Sequence, residues 1–144
     1  VTEQLYDDGV YLLQRVAERD PELAAEMEKL LARQGGCPAG DRIVNVDYRG
    51  NVHLCPYWQD RIIGNIRERK LSDICFDEEN EIFAKMRKKT QYLKGRCGRC
   101  SHKHLCRGCG ARAEEMCGDP FGADPACYLT EEEITEAVPI TSNT

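Results

Sequence analysis

Apolar positions recur at helical spacing in the first part of the chain, where Leu23, Met27, Leu30 and Leu31 fall at i, i+4, i+7 and i+8. Asp20 stands ready as N-cap with Pro21 at the first helical position, and Gly35-Gly36 supplies the stop. An earlier helix from about Leu5 to Val16 is expected, interrupted by Gly9. After Cys37 the period changes. Arg42 to Tyr48 largely alternates apolar and polar residues, as a half-buried strand does, Arg49-Gly50 supplies a turn, and Val52-His53-Leu54 returns as a partner strand that brings Cys55 back toward Cys37. Gly64-Asn65 reads as another turn, and Leu71 to Thr90 as largely helical with Ile82, Phe83 and Met86 on one face. A cysteine-rich loop region spans 95–109, and Gly108 to Ala113 opens a short helix of small residues that Gly118-Asp119-Pro120 stops. Thr130 to Glu133 forms a capping box with Leu129 and Ile134 as its staple, and Pro139 to Thr144 reads as a frayed tail. Helices around a small hairpin make the fold class α+β.

Composition alters this picture by pointing to metal. With 144 residues, 41% of them hydrophobic, and a mean hydropathy of −0.58, one domain is expected whose stability draws on bound metal. No stretch of about 18 apolar residues and no leader pattern is present, so no membrane partner is expected. The chain opens at Val1 rather than Met, which reads as an excised fragment or a processed product. Nine cysteines are present, an odd count concentrated in CxxC pairs, which disfavours a secreted disulfide scaffold and points to the cytoplasm.

The densest pattern is Cys97-x2-Cys100-x5-Cys106-x2-Cys109. Thiolates are soft ligands that select iron–sulfur clusters, zinc or Cu(I). A zinc knuckle, with His53, His102 or His104 as extra ligands, and a structural zinc-binding interaction module are the alternatives to clusters. Two pairs only five residues apart suit clusters better, because one loop can feed neighbouring cysteines to different centres.

Cys37-x12-Gly50-x4-Cys55, the Cys97 to Cys109 run and Cys127, flanked by Leu54-Cys55-Pro56, Gly64-Asn65-Ile66, Leu71-Ser72-Asp73-Ile74, Cys109-Gly110-Ala111-Arg112-Ala113, Gly118-Asp119-Pro120 and Asp124-Pro125-x-Cys127, resemble the SPASM domain. That domain is the C-terminal auxiliary-cluster module of radical S-adenosylmethionine enzymes. The resemblance covers roughly residues 35–130 and is nearest to the branch acting in haem and haem d1 biosynthesis. The Cys106–Cys109 spacing is one residue shorter than the general family pattern.

The resemblance implies two 4Fe-4S clusters. Cys97, Cys100, Cys106 and Cys127 would bind the one farther from the active site, and Cys37, Cys55 and Cys109 the nearer one, which has no evident fourth thiolate because Leu31-Ala32-Arg33 stands where relatives carry another cysteine. Residues 1–34 would be a helical lead-in at the end of a preceding radical domain, 35–130 the cluster domain, and 131–144 a short helix and tail. No catalytic residue is expected, since no CxxxCxxC motif for cleaving S-adenosylmethionine occurs, and that cofactor would act only through a separate catalytic domain.

The implied partners are that catalytic domain, covalent or separate, an electron donor or acceptor protein, and a tetrapyrrole substrate whose carboxylates Arg99, Arg107 or Arg112 would meet. A peptide-modifying maturase and a stand-alone electron-transfer protein are the runners-up. Cys75 reads as a buried structural thiol, and Cys117 as a small core residue, with completion of the nearer cluster as its alternative. The three histidines are expected to face solvent or cap carbonyls. The net charge is −5, yet ten of the twenty Lys and Arg lie from Lys85 to Arg112. Poor aromatic interleaving argues for cluster and helix-dipole electrostatics rather than nucleic acid.

Overall fold

A computed structural model describes the backbone from residue 4 to residue 136 and side chains from Gly9 onward; the tail expected from Pro139 lies outside the described residues. Two compact units result, one from the residues up to Cys37 together with those from Leu93 onward, the other from Pro38–Tyr92. Helices and one small antiparallel sheet make the fold α+β.

In the first unit, α1 (Gln4–Ala17) and α2 (Pro21–Gln34) form a helical hairpin. Asp20 caps α2 by accepting the Leu23 N–H at 3.0 Å, a contact of the kind that stabilises a helix by about 1 kcal/mol. Gly9 sits mid-helix, where a Cβ would lie 3.2 Å from Leu31 Cδ2, so its lack of a side chain lets the two helices approach. The buried stripe of α2 is rotated from the expected one: Ala24 is fully buried with Met27 and Leu31 beside it, whereas Leu23 and Leu30 are 46% and 56% exposed. The buried line of α2 thus runs through the small Ala24, and the larger Leu23 and Leu30 lie outside it.

Four short helices complete this unit: α6 (Gly95–Arg99), α7 (Lys103–Cys106), α8 (Gly110–Cys117) and α9 (Glu131–Thr135). Helices this short are unstable alone and persist only through tertiary packing or ligation. Val10, Leu13 and Ala17 of α1, Ala24 of α2, Leu105 of α7, and Ile134 of α9 with Leu129 just before that helix form one core, each large aliphatic side chain contributing about 2 kcal/mol on burial. The expected capping box is present, with Thr130 Oγ1 accepting the Glu133 N–H at 3.1 Å and Glu133 Oε2 accepting the Thr130 N–H at 2.7 Å. It places Leu129 and Ile134, both buried, against the core.

In the second unit, β1 (Asn45–Val46), β2 (Asn51–His53) and β3 (Ile62–Asn65) form a sheet in the order β1-β2-β3. Asn45 pairs with His53 and Val46 with Val52, and Val52 faces Gly64 across the second ladder. Asp47 builds the hairpin turn: Oδ1 accepts the N–H of Arg49 at 2.8 Å and of Asn51 at 2.9 Å, while Gly50 takes a φ of +87°.

The first strand is shorter than its alternation predicts, because the Pro38 carbonyl accepts the N–H groups of Asp41, Arg42 and Ile43 and curls that stretch into a turn. Gly64-Asn65 is strand rather than turn. The glycine admits Ile74, whose Cγ2 would lie 2.9 Å from a Cβ there. The expected helix from Leu71 to Thr90 is three pieces, α3 (Leu71–Cys75), α4 (Glu81–Arg87) and α5 (Lys89–Tyr92). Asp77 and Asn80 compete for backbone amides there, Asp77 Oδ1 accepting from Glu79 N and Asn80 Oδ1 from Phe83 N, the cap of α4. Phe83 and Met86 are buried as expected.

Candidate metal centre

Four of the seven cysteines singled out above converge. Cys97, Cys100, Cys106 and Cys127 line one cavity in the first unit, together with Arg96 and Asp124. Cys97 lies on α6 with Cys100 capping its end, Cys106 ends α7, and Cys127 lies in the loop before α9. Cys100, Cys106 and Cys127 also pack against the hydrophobic core, so the aliphatic cluster is the floor of the thiol site.

Backbone amides point at the sulfurs. Asp124 N–H donates to Cys97 Sγ at 3.3 Å and His102 N–H to Cys100 Sγ at 3.4 Å. Between Cys106 and Cys109 the chain reverses through consecutive left-handed residues, Arg107 at φ +67° and Gly108 at φ +57°. A Cβ at Gly108 would lie 3.3 Å from Cys97 Sγ, so glycine favours both the left-handed conformation and room for the sulfur.

Electrostatics fit a cationic guest. Burial pushes the Cys97 thiol up against an opposing hydrogen bond from the Asp124 amide, and the neighbouring Asp124, Cys127 and Cys100 charges add to the rise. Cys100 is likewise raised, first by burial and then by Cys127, against the His102 amide and the cations Arg96 and Lys103. Crowded thiols of this kind become thiolates when a metal supplies the compensating charge. Four soft sulfur donors around one cavity therefore fit an iron–sulfur cluster. Among the described residues, no three Cys, His, Asp or Glu side chains are arranged to hold a single metal ion.

The other three candidates are buried. Cys37 N–H donates to the Cys106 carbonyl at 3.0 Å and Cys109 N–H to Asp124 Oδ2 at 2.7 Å, both within the first unit; Cys55 belongs to the second. All nine cysteines are free of disulfides. Cys75 is half-buried, its thiol raised by burial and lowered in part by Arg87. Cys117 is exposed rather than in the core, with Sγ donating to the Ala113 carbonyl at 2.8 Å.

Of the two buried histidines, His102 meets a carbonyl as expected, whereas His53 departs from the expectation by meeting a carboxylate. His53 is buried with Nε2 3.3 Å from Asp47 Oδ2, and His102 is buried with Nε2 3.1 Å from the Glu133 carbonyl. His104 is exposed, 3.8 Å from Glu28.

Asp124 and Arg96 were not singled out from sequence as site residues. Asp124 is 4% exposed and organises the loop, receiving Arg112, the Cys109 amide and the Ala126 amide. The basic stretch is largely paired internally. Lys94 meets Asp119 at 2.6 Å, Arg96 and Arg99 share Glu131, and Lys103 Nζ donates to the Gly98 carbonyl at 2.9 Å. Arg99 and Arg112 thus have protein carboxylates as partners.

A fold of short helices held around converging thiols defines a cluster-binding module. Residues 37–101 match the SPASM family, an iron–sulfur cluster-binding domain. The chain is similar to the Fe-coproporphyrin III synthase of Methanosarcina barkeri (strain Fusaro / DSM 804), 38% identical over 131 residues that cover 88% of this chain and 33% of the relative. It is also similar to the pre-heme d1 synthase of Dinoroseobacter shibae (strain DSM 16493 / NCIMB 14021 / DFL 12), 35% identical over 135 residues covering 92% of this chain and 33% of the relative. The AdoMet-dependent heme synthase of the same M. barkeri strain is 34% identical over 114 residues, 79% of this chain and 32% of that protein. The chain spans about one third of the length of these curated relatives. No solved structure matches it. Among the described residues no helix is long and apolar enough to cross a membrane.

Proposed function

We propose that this chain is the auxiliary iron–sulfur module of a radical S-adenosylmethionine enzyme acting on a tetrapyrrole in the cytoplasm. Cys97, Cys100, Cys106 and Cys127 hold one 4Fe-4S cluster, and Cys37, Cys55 and Cys109 serve a second. The observation that carries this reading is the convergence of the first four thiols on one cavity floored by the hydrophobic core. The tetrapyrrole part rests on the names of the three relatives described above, each of which specifies a haem or porphyrin product.

When bound, such clusters supply one-electron chemistry. The protein's own part is to hold and shield them. Core residues Leu129 and Ile134 exclude water from one side of the cavity, and the amides of Asp124 and His102 hydrogen-bond two of the sulfurs. Asp124 fixes the loop that carries Cys127 by gathering Arg112 and two amides around its carboxylate. Bound clusters would let electrons pass between the module and a radical S-adenosylmethionine catalytic domain, covalent or separate, with an electron-transfer protein as the outside partner.

Anaerobic preparation of the chain followed by iron, acid-labile sulfide and zinc analysis tests the reading. About eight iron and eight sulfide per chain, two clusters of four, with broad visible absorbance are expected. A colourless protein with stoichiometric zinc and no sulfide would contradict it.

A further inference from the structure

Arg96 is held by one arm only. Its Nη1 donates to Glu131 Oε1 at 2.7 Å, and Glu131 sits in the first turn of α9, fixed by the Thr130 capping box and shared with Arg99 at 2.6 Å. The remaining nitrogens, Nε and Nη2, are buried without a hydrogen-bond partner, while the side chain lines the thiol cavity. Burying charged donors with no acceptor costs about 1–3 kcal/mol or more, so an acceptor inside the cavity is called for.

The Asp124 carboxylate is already committed to Arg112, Cys109 N–H and Ala126 N–H. Val10, Leu129 and Ile134 on the cavity wall are apolar. That leaves the sulfurs as the anionic acceptors of the wall.

We infer that Arg96 donates from its two free nitrogens to the thiolate sulfur of the cluster held by Cys97, Cys100, Cys106 and Cys127 and raises that cluster's reduction potential. The inference rests on the cluster reading above. Reduction adds one negative charge to an already anionic centre, and a fixed guanidinium in a poorly hydrated cavity stabilises the reduced form more than the oxidised one. The Glu131 contact is what aims the other two nitrogens inward, so Arg96 tunes the cofactor without taking part in bond chemistry.

The test uses reconstituted wild-type chain, Arg96→Gln and Arg96→Lys. Redox titration follows the electron paramagnetic resonance signal that disappears in Cys127→Ala. Arg96→Gln should keep iron and sulfide but titrate at a more negative potential, and Arg96→Lys, which keeps the charge without the planar fork, should fall between. Wild-type protein grown with 15N-arginine should show a 15N coupling to the reduced cluster by pulsed resonance, lost in both variants. This labelled measurement decides the matter even where Arg96→Gln sheds its cluster. A wild-type chain with no iron would overturn the underlying cluster reading. An iron-loaded chain with no 15N coupling, or an Arg96→Gln cluster titrating as wild type, would overturn the Arg96 assignment alone.

Discussion

Arg112 grips Asp124 with two parallel hydrogen bonds, Nε to Oδ1 at 2.8 Å and Nη2 to Oδ2 at 2.6 Å. The carboxylate side chain is 1% exposed, and the same two oxygens also receive the amides of Cys109 and Ala126. One ion pair therefore ties helix α8 to the loop that carries Cys127, and the amide of Asp124 itself reaches Cys97 Sγ.

Removing the cation leaves a buried carboxylate with amides only. Arg112→Gln should destabilise the protein by about 3–4 kcal/mol, and Arg112→Lys, with a point charge in place of the fork, by less. Denaturant unfolding of the metal-loaded protein measures both. Equal stability of Arg112→Gln and wild type would mean the pair contributes little.

Glycine at 108 makes a sharper prediction because its strain and its neighbour can be separated. Gly108→Ala forces a left-handed backbone, at about 1–2 kcal/mol, and sets a methyl 3.3 Å from Cys97 Sγ. Gly118→Ala has the same kind of backbone at φ +72° with nothing within 4 Å. Both variants should lose stability, but only Gly108→Ala should lose iron, as read by iron and sulfide analysis.

How much of this was legible in sequence depends on whether the signal was local. The Asp20 cap, the Thr130–Glu133 box and the Gly118 stop are encoded within a few residues and appear as expected. Gly64 misled because a glycine in a strand and a glycine in a turn look alike until the neighbour, Ile74, is known. The stripe of α2 shifted because periodicity weights large side chains, while the fully buried position is the small Ala24. At the site, the cysteine spacing announced the thiols. Arg96 carried no such signal and Asp124 showed only as part of the flank before Cys127, since their roles come from burial and from partners up to 35 residues away.

Acid should loosen the β1–β2 hairpin through Asp47. Burial alone would raise this carboxyl, but hydrogen bonds from the Asn51 side chain and amide, from His53 and from the Arg49 amide hold it well below the usual carboxylate range. A depressed folded value means its stabilising effect is complete above the unfolded pKa of about 4 and is lost as pH falls below that toward the folded value. Amide protection factors at residues 45–53 should therefore fall on acidification in wild type. Asp47→Asn should begin lower and change little over the same range.

Stripping the metal should unravel the cysteine-bearing loops. Helices α6 and α7 have five and four residues, too few to persist without ligation. Hydrogen exchange should show residues 95–109 and 124–127 losing protection after chelation, while residues 45–53 retain theirs. Unchanged protection across 95–127 would mean that packing alone orders the site.

The division of the thiols is the central claim, and iron counting with electron paramagnetic resonance on single Cys→Ala variants tests it most directly. Cys97→Ala, Cys100→Ala, Cys106→Ala and Cys127→Ala should each remove one cluster signal and about half the iron, since each belongs to the set lining one cavity. Cys55→Ala and Cys109→Ala should remove the other signal and spare the first, and Cys75→Ala and Cys117→Ala should leave the iron content near that of wild type. A result in which Cys97, Cys100, Cys106 and Cys109 behave as one four-ligand set, with Cys37, Cys55 and Cys127 dispensable for metal, would contradict the account.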